Sequence, residues 1–183
     1  MKRKEFRLSG SGGQGLILAA IILADAAAQE GNYVVQTQSY GPEARGGASK
    51  AEVIIDEAEI DYPKVSNPDF VLTMSVKAYE KYGTTYKEDG MLLVDSTFVK
   101  EVAPSEKKVV ALPITKLARE EIGKEIVSNI VALGVINGLT GAIRDETLKA
   151  AILGRAPAGT EELNVKAFEL GLSLARGYLT EGK

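Results

Sequence analysis

The chain has no cysteine and no histidine among its 183 residues. Cysteine forms disulfides, serves as a thiolate nucleophile and holds iron–sulfur clusters, and the two residue types together supply the commonest zinc ligands. Their absence excludes these sites from the chain. Any redox centre that works with this protein is therefore expected on another chain, and no metal-binding residue is predicted here.

An excess of basic residues and a long apolar run are missing as well. The chain has 22 Lys and Arg against 25 Asp and Glu, a formal net charge of −3. Surfaces that bind nucleic acids are usually basic, so no nucleic-acid partner is expected. The longest apolar stretch, residues 16–28, is interrupted by Asp25 and is too short to span a bilayer or to be read as a signal peptide. The sequence therefore predicts a soluble cytoplasmic protein without a membrane partner.

What the chain does have is an alternation of short apolar runs and helical patterns. The predicted strands are residues 5–8, 32–37, 50–56, 69–73, 90–96 and 107–113. The predicted helices are residues 16–29, 75–82, 115–122, 128–139, 146–153 and 161–179. Such alternation predicts an α/β fold with a central, mostly parallel or mixed sheet, helices on its faces and a helical C-terminal portion. Because no linker or repeat divides the chain, residues 1–183 are expected to form a single domain.

A glycine-rich turn joins the first strand to the first helix. Gly10, Gly12 and Gly15 have the G-x-G-x-x-G spacing, with Gly13 and Gln14 between them. Backbone N–H groups at such a turn, together with the helix N-terminus, can bind an anion. A purely structural turn is the alternative, with positive φ at Gly12 and Gly13 and close helix packing at Gly15.

A dinucleotide site is only partly supported by this turn. Nucleotide-binding folds of this kind place an acidic residue about 20 residues after the glycines, at the end of the second strand, where it binds a ribose. Here the second strand ends in Gln36-Thr37-Gln38. Gln14, at the start of the helix, is an uncommon residue for a simple tight turn, and its amide is a candidate hydrogen-bonding group for a ligand or a neighbouring chain.

A second glycine-rich loop, residues 40–47, follows the second strand. Gly-Pro before Glu43 and Gly-Gly after Arg45 can fix a carboxylate and a guanidinium in an ordered loop. A solvated ion pair is the alternative. Loops that follow parallel strands share one edge of the sheet, so the two loops are expected to meet there. The candidate ligand- or partner-contacting residues are Gly10, Gly12, Gly13, Gln14, Gly15, Tyr40, Glu43, Arg45, Gly46 and Gly47.

No catalytic residue is predicted, because the chain lacks any combination of a nucleophile with a base. Three segments of the chain form a distinctive combination: Gly10-Ser-Gly-Gly-Gln-Gly15, the run from Gln38 through Gly47 into residues 49–55, and Pro68-Asp69 leading into residues 72–75. Together they resemble the gamma subunit of the 2-oxoacid:ferredoxin oxidoreductases. The resemblance covers most of the chain, and the loop at residues 39–47 is most similar to the 2-oxoglutarate type.

The resemblance implies a subunit of a thiamine-diphosphate enzyme. Such enzymes decarboxylate a 2-oxoacid, transfer the acyl group to coenzyme A and pass electrons through iron–sulfur clusters to ferredoxin. The gamma subunit is expected to bind none of these cofactors alone, so the isolated chain should be inactive. Its expected partners are alpha, beta and ferredoxin-like delta subunits in a hetero-oligomer, which agrees with the absence of cysteine and histidine.

Three alternatives remain open at this point. The chain could be the gamma subunit for another 2-oxoacid, namely pyruvate, a branched-chain 2-oxoacid or indolepyruvate. It could be an assembly module without a part in catalysis. It could also be a stand-alone nucleotide-binding protein, in which case the isolated chain should bind a dinucleotide.

Overall fold

Six β-strands form one mixed sheet in the computed structural model, which describes residues 3–39 and 47–181. The strands are β1 (Lys4–Ser11), β2 (Tyr33–Ser39), β3 (Ala48–Asp56), β4 (Phe70–Thr73), β5 (Met91–Asp95) and β6 (Lys108–Leu112). Their order across the sheet is β2-β3-β1-β4-β5-β6. Neighbours from β1 to β6 are parallel, whereas β3 runs antiparallel to both β1 and β2. The predicted mixed sheet is confirmed.

The helices flank this sheet. They are α1 (Leu16–Gln29), α2 (Val76–Tyr82), α3 (Ile114–Glu121), α4 (Ser128–Thr140), α5 (Asp145–Arg155) and α6 (Glu161–Glu181). Every predicted helix is confirmed, each within two residues of its predicted ends. The helical C-terminal portion is α4 to α6, and helix packing there is closest between α4 and α6.

Local signals explain where two of the helices begin or end. Gly31 follows α1 with φ of +85°, a conformation that glycine adopts at little cost. Ser75 precedes α2, and its hydroxyl accepts a hydrogen bond from the Ala78 N–H at 3.2 Å. Both positions were predicted from the sequence.

The hydrophobic core lies on both faces of the sheet, because successive strand residues point to opposite faces. On one face, Phe6, Leu8 and Leu72 are buried against α1 and α4. On the other face, Val71 and Val94 belong to a smaller buried cluster beside α2. Buried residues on both faces explain why the central strands read as continuous apolar runs.

The contact between α4 and α6 is made by glycine. A Cβ added at Gly171 would collide with the carbonyl oxygen of Val131, and one added at Gly134 would collide with the carbonyl oxygen of Phe168. Gly134 Cα packs against α6, and Gly171 Cα packs against α4. The two helix backbones are therefore in direct contact, closer than any side chain would allow.

Candidate functional site

The two glycine-rich loops begin and end at the same edge of the sheet. β1 and β2 run in the same direction because each is antiparallel to β3. The pairing of Ser11 with Ala48, and of Ser39 with Lys50, brings the ends of the second loop level with the end of β1. The Ser49 hydroxyl also donates a hydrogen bond to the Gly10 carbonyl oxygen at 3.2 Å.

The second loop itself lies outside the described residues. This applies to residues 40–46, and therefore to Tyr40, Glu43, Arg45 and Gly46. Gly47 is the first described residue after them and is partly buried. The predicted contacts of these residues with a ligand or partner stay predictions.

The glycine turn has positive φ at two positions. The angles are +89° at Gly13 and +71° at Gly15. The alternative of a purely structural turn placed them at Gly12 and Gly13, so Gly13 is confirmed, whereas Gly15 takes the place of Gly12. Gly15 is the residue immediately before α1, and its left-handed conformation turns the chain from the sheet edge into the helix.

Gln14 holds this turn together from within. Its Oε1 accepts a hydrogen bond from the Ser11 N–H at 2.7 Å, and its Nε2 donates to the Met74 carbonyl oxygen at 3.0 Å. Gly10 makes room for this side chain, because a Cβ there would collide with Gln14 Oε1. The carboxamide thus ties the end of β1 to the end of β4, a role inside the chain that sequence reasoning did not foresee. Its predicted contact with a ligand or partner stays a prediction.

Asn129, at the start of α4, holds the other side of the turn. Its Nδ2 donates to the Gly15 carbonyl oxygen at 3.2 Å, and its Oδ1 accepts from the Ile130 N–H at 2.9 Å. The side chain is buried. The sequence prediction missed this residue, although a Ser-Asn pair opening an otherwise apolar helix was a signal for it.

An open crevice of about 430 Å³ lies on the β4 side of the turn. Its lining combines polar groups with two exposed apolar side chains, Val76 and Phe98. The lining residues are Ser11, Gln14, Met74, Ser75, Val76, Lys77 and Phe98. This crevice lies outside the carboxyl ends of parallel strands, where open α/β sheets usually bind their ligands.

A more apolar groove of about 340 Å³ lies on the α4 side of the turn. Gly13 and Gly15 form one wall, and side chains from α1, α4, α5 and α6 form the others. Leu18 is 40% exposed at the groove and Ile126 is 78% exposed. The glycine turn is therefore a ridge between two concave surfaces, and both carry apolar side chains suited to contact with another molecule.

Asp95, at the end of β5, is fully buried and has a structural role. Its carboxylate accepts hydrogen bonds from the Thr97 N–H at 2.9 Å, the Thr115 N–H at 3.2 Å and the Thr115 hydroxyl at 2.5 Å. These bonds tie β5 to the first turn of α3. Asp95 therefore caps both the turn that follows β5 and the start of α3.

The described edge offers shape and hydrogen-bonding groups. Within residues 3–39 and 47–181, no cluster of three or more Asp and Glu side chains is placed to hold a metal ion. No helix of this part of the chain is long and apolar enough to cross a membrane. Chemically, the arrangement can bind and position a partner or ligand.

Replacing Gln14 by glutamate tests the tie within the turn. A carboxylate cannot donate to the Met74 carbonyl oxygen, so Gln14→Glu is expected to lower the free energy of unfolding by about 1–3 kcal/mol at neutral pH. Gln29→Glu, at an exposed position at the end of α1, is the matched control and should change it by less than about 0.5 kcal/mol. Urea unfolding of both variants gives the comparison. Equal losses in the two would contradict the internal role of Gln14.

Comparison with known proteins identifies the relatives of this chain. Residues 5–174 match the family model of pyruvate ferredoxin/flavodoxin oxidoreductase. The chain is 50% identical to 2-oxoglutarate synthase subunit KorC of Methanocaldococcus jannaschii over 177 residues, with 95% of each chain covered. It is also 45% identical to the gamma subunit of keto/oxoacid ferredoxin oxidoreductase from Geobacter sulfurreducens, with a TM-score of 0.89 over 97% of this chain and 98% of that one.

A longer protein contains the same fold. A chain of the 2-oxoglutarate:ferredoxin oxidoreductase from Magnetococcus marinus, solved with 2-oxoglutarate, coenzyme A and succinyl-CoA bound, matches with a TM-score of 0.82 and 25% identity. The match covers 97% of the present chain and 32% of the Magnetococcus chain. In that protein the matching region is thus part of a chain that is about three times as long.

Proposed function

The chain belongs to the pyruvate ferredoxin/flavodoxin oxidoreductase family, and on that premise we propose that it is the gamma subunit of a 2-oxoglutarate:ferredoxin oxidoreductase. The assembled enzyme would convert 2-oxoglutarate, coenzyme A and oxidised ferredoxin into succinyl-CoA, carbon dioxide and reduced ferredoxin. The observation that carries the proposal is the 50% identity, over 95% of both chains, to a 2-oxoglutarate synthase subunit. The loop at residues 39–47 supports the same substrate.

We assign the reacting groups to partner subunits. Thiamine diphosphate, held by alpha and beta subunits, supplies the decarboxylation chemistry, and a ferredoxin-like delta subunit carries the iron–sulfur clusters. The absence of cysteine and histidine supports the second assignment, since cluster ligands are almost all of those two types. The absence of a nucleophile paired with a base supports the first.

The edge formed by the two glycine-rich loops is proposed as the surface that this chain contributes to the enzyme. The ridge at Gly13 to Gly15 would separate two contact regions, and Glu43 and Arg45 would add charge beside them. Exposed apolar side chains on both sides of the ridge support a protein partner there. Gly12 and Gly13 are exposed beside the N-terminus of α1, which favours an anionic ligand, so contact with coenzyme A or substrate is proposed at the same edge.

A viologen-reduction assay with each subunit omitted in turn tests the function. The complete mixture should reduce the dye with 2-oxoglutarate and coenzyme A, the chain alone should not, and omission of this chain should remove the activity. Full activity without the chain would contradict the proposal. Pyruvate, a branched-chain 2-oxoacid and indolepyruvate in parallel reactions test the substrate, since a higher rate with one of them would correct it.

Arg45→Ala distinguishes a role of Arg45 in turnover from a role in assembly alone. An assembled variant is expected to lose about tenfold in rate for each ~1.4 kcal/mol of lost transition-state interaction. Arg176→Ala, at a residue of α6 whose side chain is 72% exposed, is the control and should keep full activity. Weaker assembly with unchanged turnover would favour an assembly module.

Micromolar binding of NAD or FAD to the isolated chain, measured by calorimetry, would favour a nucleotide-binding protein.

A further inference from the structure

β2 is an outer strand of the sheet, and its outer edge has no partner strand among residues 3–39 and 47–181. An outer strand exposes the N–H and C=O groups of alternate residues, which can pair with another strand. Which residues of β2 are exposed in this way follows from the hydrogen bonds further inside the sheet.

The hydrogen bonds of β1 show toward which neighbouring strand the backbone of each residue faces. The Glu5 N–H donates to the Asp69 carboxylate at 2.8 Å, and the Asp69 N–H donates to the Glu5 carbonyl oxygen at 2.8 Å. The backbone of Glu5 therefore faces β4. Because neighbouring residues face opposite ways, the backbone of Phe6 faces β3, where it lies opposite Val53.

The same alternation continues through β3. Val53 faces β1, so its neighbours Glu52 and Ile54 face β2, where they lie opposite Thr37 and Val35. The backbone N–H and C=O groups of Thr37 and Val35 therefore point inward, toward β3. The residues of β2 whose backbone N–H and C=O groups point outward are Val34, Gln36 and Gln38.

The two outer strands of the sheet differ in how they are protected. β6 has five residues, begins with Lys108 and is followed by Pro113, and lysine, proline and shortness all hinder pairing. β2 has seven residues, Tyr-Val-Val-Gln-Thr-Gln-Ser, with no charge and no proline. Its composition is that of a strand that pairs.

We propose that a second copy of this chain pairs with β2, antiparallel and centred on Gln36, to make one sheet across a two-fold axis. The strand is complementary to itself in this register. Gln36 lies opposite Gln36, and each outward-facing residue meets an outward-facing residue, Val34 with Gln38. No like charges meet, because β2 has no charged side chain. These properties favour a second copy over a strand of another subunit.

The pairing keeps the proposed functional edges apart. Antiparallel strands place the end of one β2 beside the start of the other, so the glycine-rich edges of the two copies point in opposite directions. Seven paired residues span roughly 24 Å at ~3.4 Å per residue. Both copies can therefore contact catalytic subunits while they contact each other, and the proposal does not depend on which substrate the enzyme uses.

Sedimentation velocity of the full chain at micromolar concentrations tests the proposal. The unaltered chain and Gln36→Ala should sediment as dimers, because both keep the backbone groups of β2. Gln36→Pro should sediment as a monomer, since it removes an outward N–H and no bond to β3. Gln36→Lys places two positive charges opposite each other and should weaken the dimer by up to about fivefold. This variant keeps the test open if Gln36→Pro does not fold.

A single cysteine gives an independent readout, because the chain has none of its own. Residues opposite each other in antiparallel strands have Cα atoms about 5.5 Å apart, a distance that a disulfide spans. Gln36→Cys should therefore form a disulfide-linked dimer on mild oxidation. Tyr62→Cys, at a 55% exposed position elsewhere, is the control and should not.

Three results would overturn the proposal. One is an unaltered chain that stays monomeric throughout this range. Another is a dimer that persists in Gln36→Lys and Gln36→Pro, which would place the interface elsewhere. The third is a monomeric chain whose β2 amides become protected from hydrogen exchange only in the assembled enzyme, which would assign the edge to a strand of another subunit.

Discussion

Gly171→Ala is expected to lower the free energy of unfolding by about 3 kcal/mol, the upper end of the usual cost of overpacking. The new Cβ would collide with the Val131 carbonyl oxygen and lie 2.8 Å from Gly134 Cα and 2.9 Å from the Val135 nitrogen. All three atoms belong to the backbone of α4, so no side-chain rotation relieves the contact. Urea unfolding measures the loss, and the melting temperature should fall by roughly 10 °C for a chain of this length.

Gly177→Ala is the control within the same helix. Apart from the neighbouring residues and backbone of its own helix, no atom lies within 4 Å of a Cβ added there. Alanine is a better helix former than glycine by about 1 kcal/mol, so this variant should be slightly more stable than the unaltered chain. A loss of similar size at both positions would show that α4 and α6 are not in backbone contact.

Gly15→Ala is expected to cost about 2–3 kcal/mol, from two sources. Alanine at φ of +71° is strained by roughly 1–2 kcal/mol. Its Cβ would also lie 2.6 Å from Asn129 Nδ2, which displaces the side chain that holds the turn and removes a hydrogen bond worth about 1 kcal/mol. Urea unfolding measures the total.

Gly13→Ala separates these two sources. Gly13 has φ of +89°, yet no atom lies within 4 Å of an added Cβ, so only the backbone strain is expected there. The difference between the two variants gives the contribution of Asn129, and it should disappear when Asn129→Ala is already present. Equal costs at Gly13 and Gly15 would contradict the role given to Asn129.

The sequence predicted the elements of the fold because their signals are local. Apolar runs marked the strands, and Gly31 and Ser75 marked the ends of helices within a few residues. The shared edge for the two loops followed from the rule that parallel strands end at the same side of a sheet. The same reasoning identified Gly10 and Gln14 as special residues without showing why they occur together.

The contacts that fix the site were not predictable from local patterns. Gln14 donates to a carbonyl 60 residues away, and Asn129 reaches a turn 114 residues away. Gly134 and Gly171 each look like a weakness in a helix until the two helices are seen together. Such pairs depend on how elements pack, and sequence periodicity gives only which face of each element is buried.

The backbone contact between α4 and α6 also determines how a force on this chain is transmitted. Side chains at a packed interface can change rotamer and let one helix slide, whereas backbone atoms in contact have no rotamer to change. The first turn of α4 carries Asn129, which is bonded to the glycine turn. A displacement of α6 would therefore move α4 with it. Because Asn129 is bonded to the Gly15 carbonyl oxygen, the same displacement would reach the glycine turn.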